Sequence, residues 1–597
     1  MNGGGCTEPV RPPLSMVYGN LVFGENYDDA WAAFAVPTAS YEWLSEDGKR
    51  GRFLALLGAV EAAGADVQIV RVSRRWEVAA YVREMAGESR ARRRYVAEHA
   101  GRLGELEAQR PVVYVIVSLR DPERDVASYV SRAAERGPRE WVAMLRRGVL
   151  PNDRRLLRAT ELEKARVRAD QTHARLADFL AARPASGAEL QWLVRRSFCR
   201  DLGEPEVDGL HEPRALVCER NGEAVLAPLE GDVLRWGEGW VEQRPRTLRI
   251  ESELGVSWQA QLVLGALPEQ VHFPGARAEL MFAPVESLPF GVDLSLNARY
   301  LPNELALRIA RRRIQDADQI LRAESDGEQG VTDLGYRRTQ EARDLLAHLQ
   351  ASSRPPLLRA TLAIAVAARG EEELEERVEV CRRAYGEVRL HRPAGDQLAL
   401  FCQHLPGQRT RVAGYDDTLT TEQVAAMVPT ATHEAGSDTG FYLGHTLSGS
   451  ARPVRFNLRE GSERDRNTTI LSIGALGSGK TTLDQKLKYE GFLQGARVID
   501  CDPKGDHRFH LLEQVAPHVE CIALRPDPKL RGVLDPLRVA PESLRHDTAV
   551  SFLRDLLPVR AEPAWETAVV GAVDRVCRRA HEPTCGEVVR ALREGDE

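Results

Sequence analysis

Lysine is almost missing from this chain. Only seven of its 81 Lys and Arg residues are lysine (Lys49, Lys164, Lys480, Lys486, Lys488, Lys504 and Lys529), which leaves 74 arginines. Aromatic residues are sparse at 6%, and no basic–aromatic interleaving forms a platform on which bases would stack. The formal net charge of −7 excludes a globally basic nucleic-acid binder, though not a local basic channel. The nine cysteines (Cys6, Cys199, Cys218, Cys381, Cys402, Cys501, Cys521, Cys577, Cys585) are scattered, and none stands at C-x-x-C spacing from another. Neither a zinc knuckle nor a disulfide framework is indicated, and a reduced, cytoplasmic protein is expected. No apolar run approaches the roughly 18–20 residues that span a bilayer. The best candidates, Leu54–Val60 and Ala360–Ala368, have the length of core elements. The opening MNGGGCTEPVRPP lacks the charged and then apolar pattern of a secretory signal.

At 597 residues the chain is too long for one core, and about three or four domains are expected. The expected divisions are a Gly/Pro-rich, disordered 1–15, a mixed α/β and helical region 16–202, an α+β region 203–435, and a nucleotide domain 436–597. Strands are expected at Val67–Val72 and Val112–Leu119, with helices at Gly51–Ala63, Glu77–Leu106 and Ala159–Ala182. Ala215–Phe282 reads as strand-rich, with turns at Asn221-Gly222 and Glu230-Gly231. Pro302–Glu324 and Thr332–Ser352 read as two charged amphipathic helices able to pair as a hairpin. Strand Leu358–Ala367, helix Glu371–Tyr385 and strand Glu387–His391 form a crossover pattern. The basic runs Arg92–Arg94, Arg146–Arg158 and Arg311–Arg313 read as solvated helix faces. His507 and His510, without a companion ligand at metal spacing, read as surface residues.

Against this background Gly474–Thr481, GALGSGKT, stands out. It fits G-x-x-x-x-G-K-[ST], and with so few lysines a chance match has a probability under about one per cent. The apolar run Thr469–Ile473 ahead of it reads as a buried strand, and Thr481–Gln494 behind it as a helix closed by Gly495. In such a loop the backbone N–H groups from Ala475 through Leu476, Gly477, Ser478 and Gly479 to Lys480 converge on phosphates. Lys480 reaches the β/γ oxygens, the Thr481 hydroxyl ligates Mg²⁺, and Thr482 is placed for the α-phosphate. Downstream, Ala496–Asp500 reads as a second parallel strand ending in DCDPKGD. Asp502 and Asp506 there are candidates for positioning the attacking water, against the plainer reading of a Pro-Lys-Gly turn with an exposed Asp.

The loop, the helix and then ARVIDCDPKGDHR resemble the FtsK/HerA-like motor ATPases. Gly444–Asn457 (GHTLSGSARPVRFN) and Gly532–Leu537 (GVLDPL), the latter after a third strand at Val519–Leu524, resemble the large conjugative ATPase of type IV secretion systems. The resemblance implies an α/β multidomain chain: a mixed α/β and α+β region, then a partial RecA-like P-loop NTPase domain with a parallel sheet. It also implies ATP and Mg²⁺ as cofactors and a homo-oligomer, a hexamer. Other subunits of a membrane-spanning secretion complex are implied as partners, with nucleic acid possible, in a cytoplasmic protein peripheral to the inner face of the membrane. Its implied work is to energise pilus assembly or DNA–protein transfer. A DNA-translocating motor of the coupling-protein or FtsK type, or a catalytically degenerate ATP-binding scaffold, are the alternatives. Motors of this kind need a second acidic strand end; the nearest mimic, Ala568–Asp574, reads as an ordinary helix. Only 117 residues follow Lys480, so a motor domain cut short, without its catalytic glutamate and arginine finger, is expected.

Overall fold

The computed structural model describes residues 8–595 except 10–11, 25–26, 28, 87–89, 107, 121–156, 221, 238, 266–271, 276, 326–332, 413, 448, 450, 464–466, 526, 559–562 and 580. The chain divides into two compact units, Met1–Val498 and Ile499–Glu597.

The first unit is organised by one large sheet. Its main path is built from β1 (Glu8–Pro9), β2 (Met16–Tyr18), β3 (Leu21–Phe23), β4 (Ala30–Val36), β5 (Val67–Arg75), β6 (Gln109–Ser118), β7 (Trp240–Gln243), β8 (Leu248–Ser252), β9 (Gly255–Leu264), β10 (Asp293–Leu301) and β11 (Leu357–Ala368). They lie in the order β1-β7-β8-β9-β11-β10-β5-β6-β4-β3-β2, and neighbours along this path run antiparallel. The sheet draws strands from both sides of the division expected near residue 203, with β10 paired to β5 through Leu294↔Arg71 and Asn297↔Gln68. Register between distant segments is a tertiary matter that local patterning does not carry.

One face is apolar: Ile69, Val115, Leu262, Leu294, Leu296, Leu362, Ile364 and Val366 join one core. The other carries buried polar side chains that hold the loop 403–408. Gln68 Nε2 donates to the Gln403 and Leu405 carbonyls (2.9 Å each), and its Oε1 accepts from Gly407 N (2.8 Å). Gln397 acts in place of a missing strand, accepting from Gln261 N (2.7 Å) and donating to Gln261 O (3.1 Å). These amides satisfy backbone groups that would otherwise be buried unpaired.

The longer helices of this unit are α1 (Glu46–Ala63), α2 (Val78–Ala86), α3 (Arg90–Glu105), α4 (Ala159–Ala177), α5 (Gly187–Phe198), α6 (Asn303–Ser325), α7 (Asp333–Leu349), α8 (Glu371–Tyr385) and α9 (Lys480–Leu493). Local chemistry sets their ends. Ser45 accepts from Gly48 N at the start of α1, and Gly64 closes it in the left-handed region at φ 57°. Ser186 and Glu189 form a capping box on α5. The helix expected over Glu77–Leu106 is two helices, α2 and α3. The charged pair α6–α7 forms between β10 and β11, whose ends Leu301 and Leu357 are register partners. The crossover after β11 is also present: α8 leads to Leu390–His391, which pairs with β9.

Several expectations are corrected. Residues 12–15, assigned to a disordered terminus, pack into the fold: Leu14 and Ser15 are buried, and Gln408 Nε2 donates to the Pro13 carbonyl (3.1 Å); residues 1–7 lie outside the described residues. The strands either side of the turn expected at Asn221-Gly222, Ala215–Arg220 and Glu223–Pro228, pair antiparallel, Asn221 itself lying outside the described residues; Glu230 opens a short helix, Glu230–Leu234, rather than a turn. Thr469–Ile473, Ala496–Asp500 and Val519–Leu524 are not strands, and the parallel sheet expected from them is not formed among the described residues. An apolar run becomes a strand only when neighbours take up its N–H and C=O groups and layers cover its faces, and here Leu471 and Ile473 face solvent. Arg93, Arg94 and Arg311–Arg313 are exposed, as a solvated face requires, whereas residues 146–156 lie outside the described residues.

A two-stranded hairpin, β12 (Phe441–His445) and β13 (Pro453–Phe456), leads toward the GALGSGKT loop. It is bound to the large sheet by a buried ionic triad. Glu286 accepts from Arg71 and from Arg452 Nη2 (2.9 Å), and its second oxygen accepts from His433 N (3.1 Å). Arg71 Nη1 also donates to the Pro429 and Ala431 carbonyls (2.9 and 2.6 Å). Burial works to raise the Glu286 carboxyl, but the two guanidiniums outweigh it and hold the group below its ordinary range.

In the second unit, α10 (Arg545–Asp555), α11 (Pro563–Arg579) and α12 (Cys585–Glu594) share an apolar core of Leu537, Ala549, Leu553, Val569, Ala572, Val573, Val576 and Val588. Ala568–Asp574 lies within α11 as an ordinary helical segment. Asp535 binds two helix starts at once, accepting from Leu537 N (3.0 Å) and from Cys585 N (2.8 Å). Among the described residues no helix is long and apolar enough to cross a membrane.

Candidate nucleotide-binding site

GALGSGKT forms a loop that turns directly into α9. Gly477 (φ 78°) and Gly479 (φ 88°) adopt the left-handed backbone region that other residues avoid, and Gly479 is the N-cap of the helix. The turn brings the free N–H groups of the first helical turn, at Lys480, Thr481 and Thr482, to the loop's mouth, where the helix dipole also favours an anion. Lys480 curls back into the loop, its Nζ donating to the carbonyls of Gly474 (2.6 Å) and Ala475 (2.7 Å). The loop residues from Gly474 to Gly479 are exposed, as are Thr481 and Thr482, and Lys480 is half-buried. Backbone donors, an ammonium and a hydroxyl at the head of a helix fit a magnesium-bound nucleotide: Ala475–Lys480 would hold the phosphates and Thr481 the metal.

Behind its first turn, α9 is anchored. Glu490 is 2% exposed, and its Oε1 accepts from Tyr95 Oη (2.6 Å) and Lys486 Nζ (3.2 Å). Tyr95 was not foreseen from the sequence, because nothing in the spacing of residues 395 positions apart reveals their meeting.

In the second unit, Asp502 organises its own loop. Its carboxylate accepts from the N–H groups of His507 (2.7 Å), Lys504 (3.1 Å) and Gly505 (3.0 Å). The hydrogen bond from His507 N, followed by those from the other two, holds the carboxyl below its usual range despite some opposing desolvation. Asp506 is exposed beside it. His507, expected as a surface residue, has a largely covered ring whose Nδ1 lies 2.7 Å from Asp500 Oδ2, whereas His510 is exposed. The signal for this pair was an Asp and a His seven residues apart around the Pro503-Lys504-Gly505 turn, which folds the chain back on itself.

The family of AAA-like domains matches residues 457–597. This stretch is similar to an AAA-like domain. The match begins at Asn457, directly after β13, and takes in the loop, α9, the Asp502 turn and the helices α10–α12. An AAA-like domain with this loop supports a P-loop ATPase in its broad form. No curated protein matches the chain.

Proposed function

We propose that this chain is an ATP-binding motor of a conjugative or type IV secretion apparatus, coupling ATP hydrolysis to pilus assembly or DNA–protein transfer. The observation that carries the nucleotide half of this reading is the glycine-bent loop that opens α9 with Lys480 turned into its mouth. In this reading the N–H groups of Ala475–Lys480 cradle the phosphates, Lys480 offsets β/γ charge, Thr481 binds Mg²⁺ and Thr482 reaches the α-phosphate. Bound MgATP supplies the phosphoryl group that passes to water. Asp502 and Asp506 are the candidates to orient that water, and Asp502 would first have to release three backbone N–H groups.

The transport half is supported by the hairpin β12–β13, whose sequence carries the resemblance, and by the large folded body ahead of the AAA-like domain. It places the protein as a homo-oligomer at the cytoplasmic face of a membrane complex, with other secretion subunits as partners. The scaffold reading is favoured by one feature: the exposed run Ile470–Ile473 does not brace the loop from behind as a core strand would.

Titration of the full chain with MgATP tests the first half. Loss of a hydrogen-bonded charge predicts that Lys480→Ala weakens binding by about 10- to 150-fold. If Lys480→Ala leaves transfer in cells intact, the scaffold reading replaces the motor.

A further inference from the structure

We infer that the helical pair α2–α3 registers nucleotide occupancy, through the contact of Tyr95 with Glu490; this rests on the nucleotide reading of the loop. The two segments flanking the loop both pack on this pair, the upstream one mainly on α2, with the Tyr442 ring also meeting His99 of α3 at 5.3 Å, and the downstream one on α3. Upstream, β12–β13 is fixed to α2. Arg455 Nη2 lies 2.5 Å from Glu84 Oε1, Tyr442 N donates to Tyr81 Oη (3.1 Å), and the Tyr442 ring stacks on Trp76 at 6.3 Å. Downstream, α9 is fixed to α3 by Tyr95 Oη on Glu490 and by the edge of Tyr489 against the Tyr95 ring at 5.5 Å. α9 also meets β12 directly, with Lys486 Nζ over the Phe441 ring at 5.7 Å, so α2–α3 carries one of two routes by which a movement of α9 reaches β12–β13.

Three further facts give this arrangement its force. Lys480 and Glu490 stand on one helix, about 15 Å apart along a rigid rod, so a shift at the loop arrives at the contact. Burial together with the bond to Glu490 raises the Tyr95 phenol far above its ordinary range, so it remains a donor to a buried carboxylate whose loss would be costly. At the base of the pair lies a cleft of about 210 Å³ lined by Arg75, Trp76, Val78, Leu103, Gly104 and Ala108. A close-packed base would resist tilting, whereas this one leaves room for it. The ligand also has distinct interactions in the two states, because phosphate must draw the Lys480 ammonium from the carbonyls of Gly474 and Ala475.

The test is amide hydrogen exchange on the full chain with and without a saturating, non-hydrolysable magnesium–ATP analogue. The expected result is slower exchange at 474–493 and, remote from the loop, a slowing of about five-fold across α3. In Tyr95→Phe, which keeps the ring and loses only the hydroxyl, protection at 474–481 persists and the α3 response disappears. Glu490→Gln, which retains an acceptor for the phenol, keeps that response. Protection at 474–481 with unchanged exchange in α3 overturns the inference and leaves the nucleotide reading standing, as does a full α3 response in Tyr95→Phe. No protection at 474–481 overturns both.

Discussion

In β10 and β11, Leu294, Leu296, Leu362 and Ile364 are at most 3% exposed, each with a register partner beside it; ahead of the nucleotide loop, Leu471 is 79% and Ile473 86% exposed. The residue types are the same, and both runs are the length of a strand. What differs is the supply of neighbours. The strands of the large sheet draw partners from distant parts of the chain and have apolar cover on both faces, whereas 469–473 has no partner strand among the described residues. Apolar content states how much surface a segment can bury, and pairing decides whether it does.

The largest expected effect falls on the well-covered region. Glu286→Ala leaves Arg71 and Arg452 buried without their counter-charge and should cost about 3–5 kcal/mol, read as an earlier denaturant transition of the sheet-containing unit. An unchanged midpoint would mean the triad is hydrated in solution, and the contrast between the two regions would narrow.

Within Ile499–Glu597, Asp535→Ala removes a carboxylate shared by two helix starts and should cost about 1–2 kcal/mol, seen as faster amide exchange in α12. Unaltered exchange there would show that the helical core holds without the cap.

Acid offers a third probe. Burial, reinforced by Arg200 and Arg196, holds His404 well below the usual histidine range; burial, then Lys486, lowers His99. Their unfolded forms bind protons more readily than the folded ones, so the stability these neutral rings contribute is full above about pH 6.5 and falls as the pH drops below it. Denaturant midpoints measured from pH 7.5 to 5 should decline, and His404→Gln should flatten part of the slope.

The smallest effect is the most pointed. Leu471→Ser should change stability by less than about 0.5 kcal/mol, as expected of an exposed side chain. A loss of about 2 kcal/mol or more would show that the run is buried in solution, and the contrast would vanish.

Much of the architecture was legible because it is local. The loop's glycines and Lys480, helix α9 behind it, the hairpin α6–α7 and the strand β11 all declare themselves through spacing and periodicity. The antiparallel sheet did not, because β5 and β10 meet across more than two hundred residues and either could have paired elsewhere. The triad was hidden for another reason: among 74 arginines, nothing marks Arg71 and Arg452 as the two that share Glu286. In the second unit, the sequence lets Asp502 read as a chemical group or as a turn-former, and it does not reveal the three backbone N–H groups that its carboxylate accepts from.

The register of Leu301 with Leu357 has an architectural consequence. Because α6–α7 leaves and re-enters the sheet at one pair of residues, the sheet places no demand on the length of the arm. Whole turns can be added to or removed from both helices together while β10 and β11 keep their pairing. The arm is thus free to change in reach over generations without disturbing the sheet, as a bracket can be lengthened without touching the wall that carries it.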